Sequence, residues 1–160
     1  MPHTLPSRLK AILADAETRA DIDGFLEGAR QELGMDIAYL SEIVDNYLVF
    51  RAVRSPGFES VIQTSNSLDL KETYCKYVLD GSLPPLIVDT ATHQIAIDLP
   101  VTQMIPIRSH VSVPLTLVDG SVFGMVCCLA RDVRADLPED SPARLSDYAR
   151  KIALRLAQDD

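Results

Sequence analysis

Few residues in this 160-residue chain could carry chemistry: three cysteines, three histidines and a handful of acids and arginines near them. Cys75 lies in a segment patterned as a helix, with Val78 and Leu79 on its face one turn later. A reactive thiolate needs positive charge beside it, and Lys71 four residues earlier is the available source. Packing as a small buried hydrophobe is the preferred reading of Cys75 over a functional thiol. Cys127 and Cys128 are adjacent on a predicted strand, so they face opposite sides and cannot both line one pocket. Thiol redox chemistry therefore requires Cys75 and Cys127 to meet across a cavity. His93 and His110, with Asp89 and Asp98, raise a metal site, but their spacing matches no standard ligand pattern. Arg108 could pair with an anionic ligand group or with Asp89, the commoner outcome being a partly exposed ion pair. Tyr74 and Tyr77 share the helix of Cys75, and either could turn its hydroxyl into a pocket or pack on the surface. No Ser–His–Asp order, phosphate-cradling glycine loop or paired-carboxylate motif occurs, which weighs modestly against an enzyme.

The element that positions most of these residues is the stretch 111–130. Two apolar-rich runs flank Asp119-Gly120, a dipeptide suited to a two-residue type I′ hairpin turn. Such a turn sets Val118 opposite Ser121 and Leu117 opposite Val122, and it divides the ribbon into two faces. One face carries Val111, Val113, Leu115 and Leu117 against Val122, Gly124, Val126 and Cys128. It is apolar throughout and should meet helices, with Gly124 permitting a close approach. The other carries His110, Ser112, Pro114 and Thr116 against Phe123, Met125, Cys127 and Leu129. That mixture of small polar, aromatic and sulfur groups suits the lining of a small-molecule cavity, and equally an ordinary half-solvated outer face.

Composition narrows the class. The length is that of one domain with a proper core, and 47% hydrophobic with 24% charged residues is ordinary for a globular protein. A net charge of −8 with scattered lysines and arginines argues against nucleic-acid binding. No apolar run approaches the ~20 residues needed to cross a bilayer, so no membrane association is expected. The first ten residues lack the apolar stretch of a secretory signal, and three cysteines make no disulfide framework. A cytoplasmic location is the expectation.

Along the chain, residues 4–33 read as helix, with one stripe of Leu9, Ile12, Leu13, Ala16 and Ala20 and a second of Phe25, Leu26, Ala29 and Leu33. Residues 21–24 are the weak point where it kinks or breaks, and Gly34 is the stop. Residues 35–44 and 47–54 form a second hairpin about Asp45-Asn46. Residues 58–64 are a candidate for one further short strand. A helix follows over 69–80, with Asp69 and Glu72 as a capping box and Gly81 as its left-handed end. Leu86-Ile87-Val88 reads as a short strand, Asp89 or Thr90 caps a short helix to about Ile97, and 99–107 reads as irregular around Pro100 and Pro106. Ser141 caps a final helix with Pro142 at its first position and one apolar stripe of Leu145, Tyr148, Ala149, Ile152 and Leu156. The long excursion over 55–110, between two hairpins, is where a binding lid would be built.

Val113-Pro114-Leu115, Asp119-Gly120 and Phe123-Gly124-Met125, followed by a terminal amphipathic helix, resemble a GAF domain. The opening helix, the hairpin over 35–54 and the segment Pro85-Leu86-Ile87-Val88-Asp89-Thr90 extend the resemblance over about residues 20–157. It implies an α+β fold: a central antiparallel sheet of five or six strands, N- and C-terminal helices on one face, and a ligand pocket under the excursion on the other. The whole chain, 1–160, would be one such domain, with 1–20 a helical extension. The resemblance further implies a bacterial regulatory or sensory module, often a homodimer through its terminal helices. The cyclic-nucleotide motif of that family is missing, since Asn46 is followed by Tyr47. Covalent bilin attachment is not expected either, because Cys75 is followed by Lys76 rather than histidine and Asp98-Leu99-Pro100 only faintly echoes the phytochrome Asp-Ile-Pro.

The expectation is thus a sensor for an unidentified small molecule. Its ligand-binding residues would be Tyr74, Cys75, Asp89, Arg108, His110, Ser112, Phe123, Met125 and Cys127, with no metal and no catalytic residue. Two alternatives stand beside it. One is a thiol-dependent enzyme resembling free methionine-(R)-sulfoxide reductase, although the glycine-flanked cysteine motif of that branch is missing. The other is a ligand-free dimerisation module.

Overall fold

The computed structural model describes residues 13–60, 62–64 and 66–158. Its first helix, α1 (Ala16–Leu33), starts where Asp15 accepts from the Thr18 backbone N–H at 3.0 Å and stops at Gly34, φ 65°. The break expected at 21–24 therefore falls at Asp15, and the helix runs on through Gly24. Because the cap resets the phase, the buried stripe is Thr18, Ile22, Leu26, Ala29 and Leu33, while Ala16 and Ala20 are exposed. Leu9 and Ile12 lie outside the described residues.

Strands β1 (Ile37–Val44) and β2 (Tyr47–Arg54) form the expected hairpin, with Val44 paired to Tyr47 across Asp45-Asn46. Asp45 takes φ 54°, a conformation aspartate tolerates better than most side chains. The third strand is not at 58–64 but at β3 (Ser67–Asp69), where backbone groups of residues 66–69 pair with the outer edge of β2. The predicted helix over 69–80 divides at Thr73, which is extended (φ −115°, ψ 158°). A 3-10 turn (Leu70–Glu72) precedes it and α2 (Tyr74–Leu79) follows. Asp69 does cap, accepting from Lys71 N–H at 3.2 Å, and Gly81 ends the segment at φ 84°.

Then come β4 (Leu86–Ile87), a 3-10 turn (Thr90–Thr92) capped by Asp89, and α3 (Gln94–Asp98). The segment expected to be irregular contains a helix, α4 (Pro100–Met104). Pro100 ends α3 but starts α4, because a first-turn position has no intrahelical use for the missing N–H. Strands β5 (Ser109–Thr116) and β6 (Val122–Ala130) and the long α5 (Ser141–Gln158) complete the chain. Ser141 begins α5, but its hydroxyl donates back to the Pro138 carbonyl at 2.6 Å, and the Asp140 carbonyl accepts the Arg144 N–H.

All pairings are antiparallel, in the order β3-β2-β1-β6-β5-β4. The fold is α+β with six strands, as expected. Helices α1 and α5 cover one face, where Ile22, Leu26, Leu145 and Ile152 meet Leu40, Val111, Val113, Leu115, Val126 and Cys128. The excursion covers the other, on Ile37, Tyr39, Leu48, Phe50, Met125, Cys127 and Leu129. Gly124 sits where β1 crosses closest: a Cβ there would lie 1.8 Å from the Ser41 carbonyl oxygen.

The β5–β6 turn differs from the two-residue form. Gly120 N–H donates to Leu117 O at 2.9 Å and Leu117 N–H to Ser121 O at 2.8 Å, with Gly120 at φ 90°. This is a three-residue loop, a type I-like turn followed by a left-handed glycine. Its register is one residue out from the predicted one, with Thr116 opposite Val122. A bulge then restores the predicted register from Leu115–Gly124 through Ser112–Cys127. The extra residue is Phe123. It packs in the helix-side core, so its expected place on the cavity face is corrected.

Candidate functional site

Alternation along β1, β2, β5 and β6 brings Tyr39, Phe50, His110, Met125 and Cys127 to the excursion side, and α2 and α4 close over them. Between β2–β3 and α4 opens a cavity of about 250 Å³, walled by Phe50, Ile62, Leu68, Val101, Met104 and Ile105 together with the polar Asn66 and Ser67. A narrower space of about 10 Å³, room for a single water, shares Phe50, Leu68, Val101 and Ile105 with it. That inner space ends against Tyr39, Tyr74, Ile107 and His110.

His110 is 1% exposed, and its Nδ1 has no hydrogen-bond partner among the described residues. Burial holds its pKa down at about 3, so the ring is neutral at physiological pH. The Tyr74 ring meets it edge-on, with centroids 4.5 Å apart. The Tyr74 hydroxyl bonds the Thr102 hydroxyl, whose own proton goes to the Ala96 carbonyl, so Tyr74 is the donor. This chain ties α2 to α4 and α3. Burial raises the Tyr74 pKa to about 12, which keeps that donor proton in place.

Behind Tyr74, Cys75 Sγ stands 3.9 Å from Cys127 Sγ, both thiols fully buried and free. Burial, then the neighbouring Cys75, pushes the Cys127 thiol well above its ordinary value. Burial also raises the Tyr39 hydroxyl, reinforced by both thiols. Cys128 faces the helices, where burial raises it to about 12.

The nine expected site residues thus divide. Tyr74, Cys75, His110, Met125 and Cys127 come together on the excursion side. Ser112 lies on the same face, fully buried, its hydroxyl without a partner among the described residues. Asp89 and Arg108 do not join them: they pair with each other at 3.4 Å on the exposed rim. There Arg108 borders a separate open depression with Thr90 and Ile97. Phe123 is on the opposite face. Sequence reasoning missed Tyr39, Phe50, Leu68, Val101 and Ile105. Alternation in 37–54 carried a signal for Tyr39 and Phe50, but nothing in 99–107 pointed to α4.

Among the described residues, no group of three His, Cys, Asp or Glu could hold a metal ion, and no helix is long and apolar enough to cross a membrane. No protein-family model matches the chain, and no curated protein matches it. Solved structures do resemble it. The GAF domain region of a Geobacter sulfurreducens PCA protein superposes with a TM-score of 0.70 at 16% identity, covering 93% of this chain and 99% of that one. The GAF domain of Thermosynechococcus elongatus PixJ, in its blue-light-absorbing form, gives 0.71 at 15%, over 95% and 89%. A type II free methionine-R-sulfoxide reductase from Thermoplasma acidophilum gives 0.67 at 14%, over 94% and 96%. Photoreceptor and reductase match the backbone about equally well, so the likeness settles architecture and leaves activity to the site. The chain has the GAF fold.

Proposed function

We propose that this domain is a sensory module that binds a small molecule between the sheet and the excursion and reports its presence through α1 and α5. One observation carries the reading: a cavity under α4 shares four wall residues with a smaller space lined by His110, a buried histidine whose Nδ1 has no partner among the described residues. Buried polar groups without partners are uncommon in finished cores and mark places where a ligand or water belongs. The strands that line the two spaces also carry Leu40, Ala52 and Val111 against the helices, so a shift on one face is felt on the other. Signalling then requires a ligand that binds two helix arrangements with different affinity. Dimerisation through the terminal helices belongs to this reading, and Leu154, 54% exposed on α5, is available for it. Reduced, free thiols fit a cytoplasmic setting. Native mass spectrometry of protein purified from its own cells tests the proposal. A stoichiometric bound mass and a dimer are expected; an empty monomer counts against it.

The 3.9 Å approach of Cys75 to Cys127 favours one second reading, thiol-dependent reduction of a sulfoxide. In that reaction the two thiols become a disulfide while the sulfoxide becomes a sulfide and its oxygen leaves as water. Turnover with methionine sulfoxide and a dithiol reductant, lost in Cys127→Ser, would establish it.

A further inference from the structure

We propose that the cavity takes a neutral, largely apolar molecule of one or two rings, held at its inner end by a single hydrogen bond to His110. The inference rests on the ligand-binding reading above and names the class of ligand.

Charge argues first. Among the described residues, no lysine, arginine, aspartate or glutamate lines either the outer or the inner space. An ionised ligand group placed there would lose its hydration with no countercharge among the lining residues to offset the loss. Arg108 does not supply one: it is engaged by Asp89 and borders a different depression. Among the described residues, the polar side chains of the outer wall are Asn66 and Ser67, and both are uncharged.

Size argues next. A cavity of about 250 Å³ exceeds the ~150 Å³ that holds benzene and falls short of the ~300–1,000 Å³ that encloses drug-sized ligands. The inner space, about 10 Å³, admits one polar atom and not a ring. A ligand seated against Phe50 and Leu68 would therefore turn inward only the ring edge that carries its N–H or O–H. With its proton on Nε2, the neutral His110 ring offers Nδ1 as an acceptor to a ligand N–H or O–H. That bond would also relieve the desolvation of an unpartnered nitrogen.

Three probes with one bicyclic body separate these terms: indole, indene and indole-3-carboxylate, added to the full chain with carbon-13-labelled methionine methyls. Met104 lines the outer cavity, whereas Met35 lies in the helix-side core and serves as the control. Indole should shift the Met104 methyl saturably and leave Met35 unmoved. It should bind about tenfold more tightly than indene, which lacks the N–H. It should bind about a hundredfold more tightly than the carboxylate. His110→Leu should bring indole down to the level of indene, and His110→Gln, which keeps an acceptor, should preserve the difference. If His110→Leu displaces the Met35 resonance, the comparison of His110→Gln with the unaltered chain decides instead. Equal binding of indole and indole-3-carboxylate overturns the ligand class while leaving the cavity a binding site. Equal binding of indole and indene overturns the part assigned to His110. Failure of all three to move Met104 overturns this inference, and the native mass spectrum then decides separately whether the binding reading stands.

Discussion

Cys75 and Cys127 face each other at 3.9 Å, one on the short helix of the excursion and the other on a central strand, so their contact joins lid to sheet. Closing the gap to a disulfide needs a movement of about 2 Å, since bonded sulfurs lie ~2.0 Å apart. Burial raises the Cys127 thiol, and only the thiolate attacks an oxidant or alkylating agent. Alkylation by iodoacetamide at neutral pH should therefore be slow in the folded protein and fast in urea. Diamide should then link Cys75 to Cys127 only as fast as α2 lifts from the sheet. Rapid labelling of Cys127 in the native state would show an open thiol pocket and move the balance toward the reductase reading.

Gly124 tests the central pairing. A Cβ at that position would stand 1.8 Å from the Ser41 carbonyl oxygen and 2.9 Å from the Glu42 Cα, both backbone atoms. No rotamer change relieves such a clash, so β1 and β6 must part. Gly124→Ala should cost roughly 3 kcal/mol or more, at the upper end of overpacking effects. Urea unfolding measures it; a loss below about 1 kcal/mol would mean that the strands have slack.

His110 sets a pH dependence whose sign follows from its environment. In the unfolded chain an imidazole titrates near ~6.5; in the fold, burial holds it at about 3. Between those values the unfolded state binds a proton that the native state refuses, so stability falls as pH falls. The contribution is fully present above the unfolded value and is lost down to the folded one, at up to about 1.4 kcal/mol per pH unit. Glu27, held down at about 2 chiefly by its hydrogen bond to Arg30, adds acid sensitivity only below the ordinary carboxylate range. Urea midpoints from pH 7 to 5 therefore isolate His110. His110→Gln should flatten that slope, and an unchanged slope would place the sensitivity elsewhere.

What could be read from the sequence tracks how local each decision is. The hairpin over 37–54 and the apolar stripe of α5 follow from alternation, turn residues and helical spacing within a few positions. Leu26, Ala29 and Leu33 are buried as their spacing implies, whereas Ala16 and Ala20 are not, because the Asp15 cap sets the start of α1. Residues 99–107 hid a helix because proline ends one helix and starts another equally well. The pairing of Cys75 with Cys127 was legible only as a condition, since the approach of α2 to the sheet depends on contacts far away in the chain. Asp89 and Arg108 form across 19 residues the partly exposed ion pair that their charges suggest.

Phe123 shows how one residue of register changes a site. The three-residue loop at Val118–Gly120 brings β6 in one residue out of step, and the bulge that corrects this turns the Phe123 ring toward α1 and α5. Phe123 is 7% exposed there, so Phe123→Ala should cost about 3–5 kcal/mol through the cavity it leaves. Indole bound on the other face should be nearly unaffected, because the ring touches neither ligand space. Phe50→Ala, which removes a wall of both spaces, should weaken binding even if its stability loss is similar. Titrating both variants with indole and unfolding both in urea separates a core residue from a binding residue. If Phe123→Ala loses the probe while Phe50→Ala keeps it, the ligand lies on the helix side of the sheet.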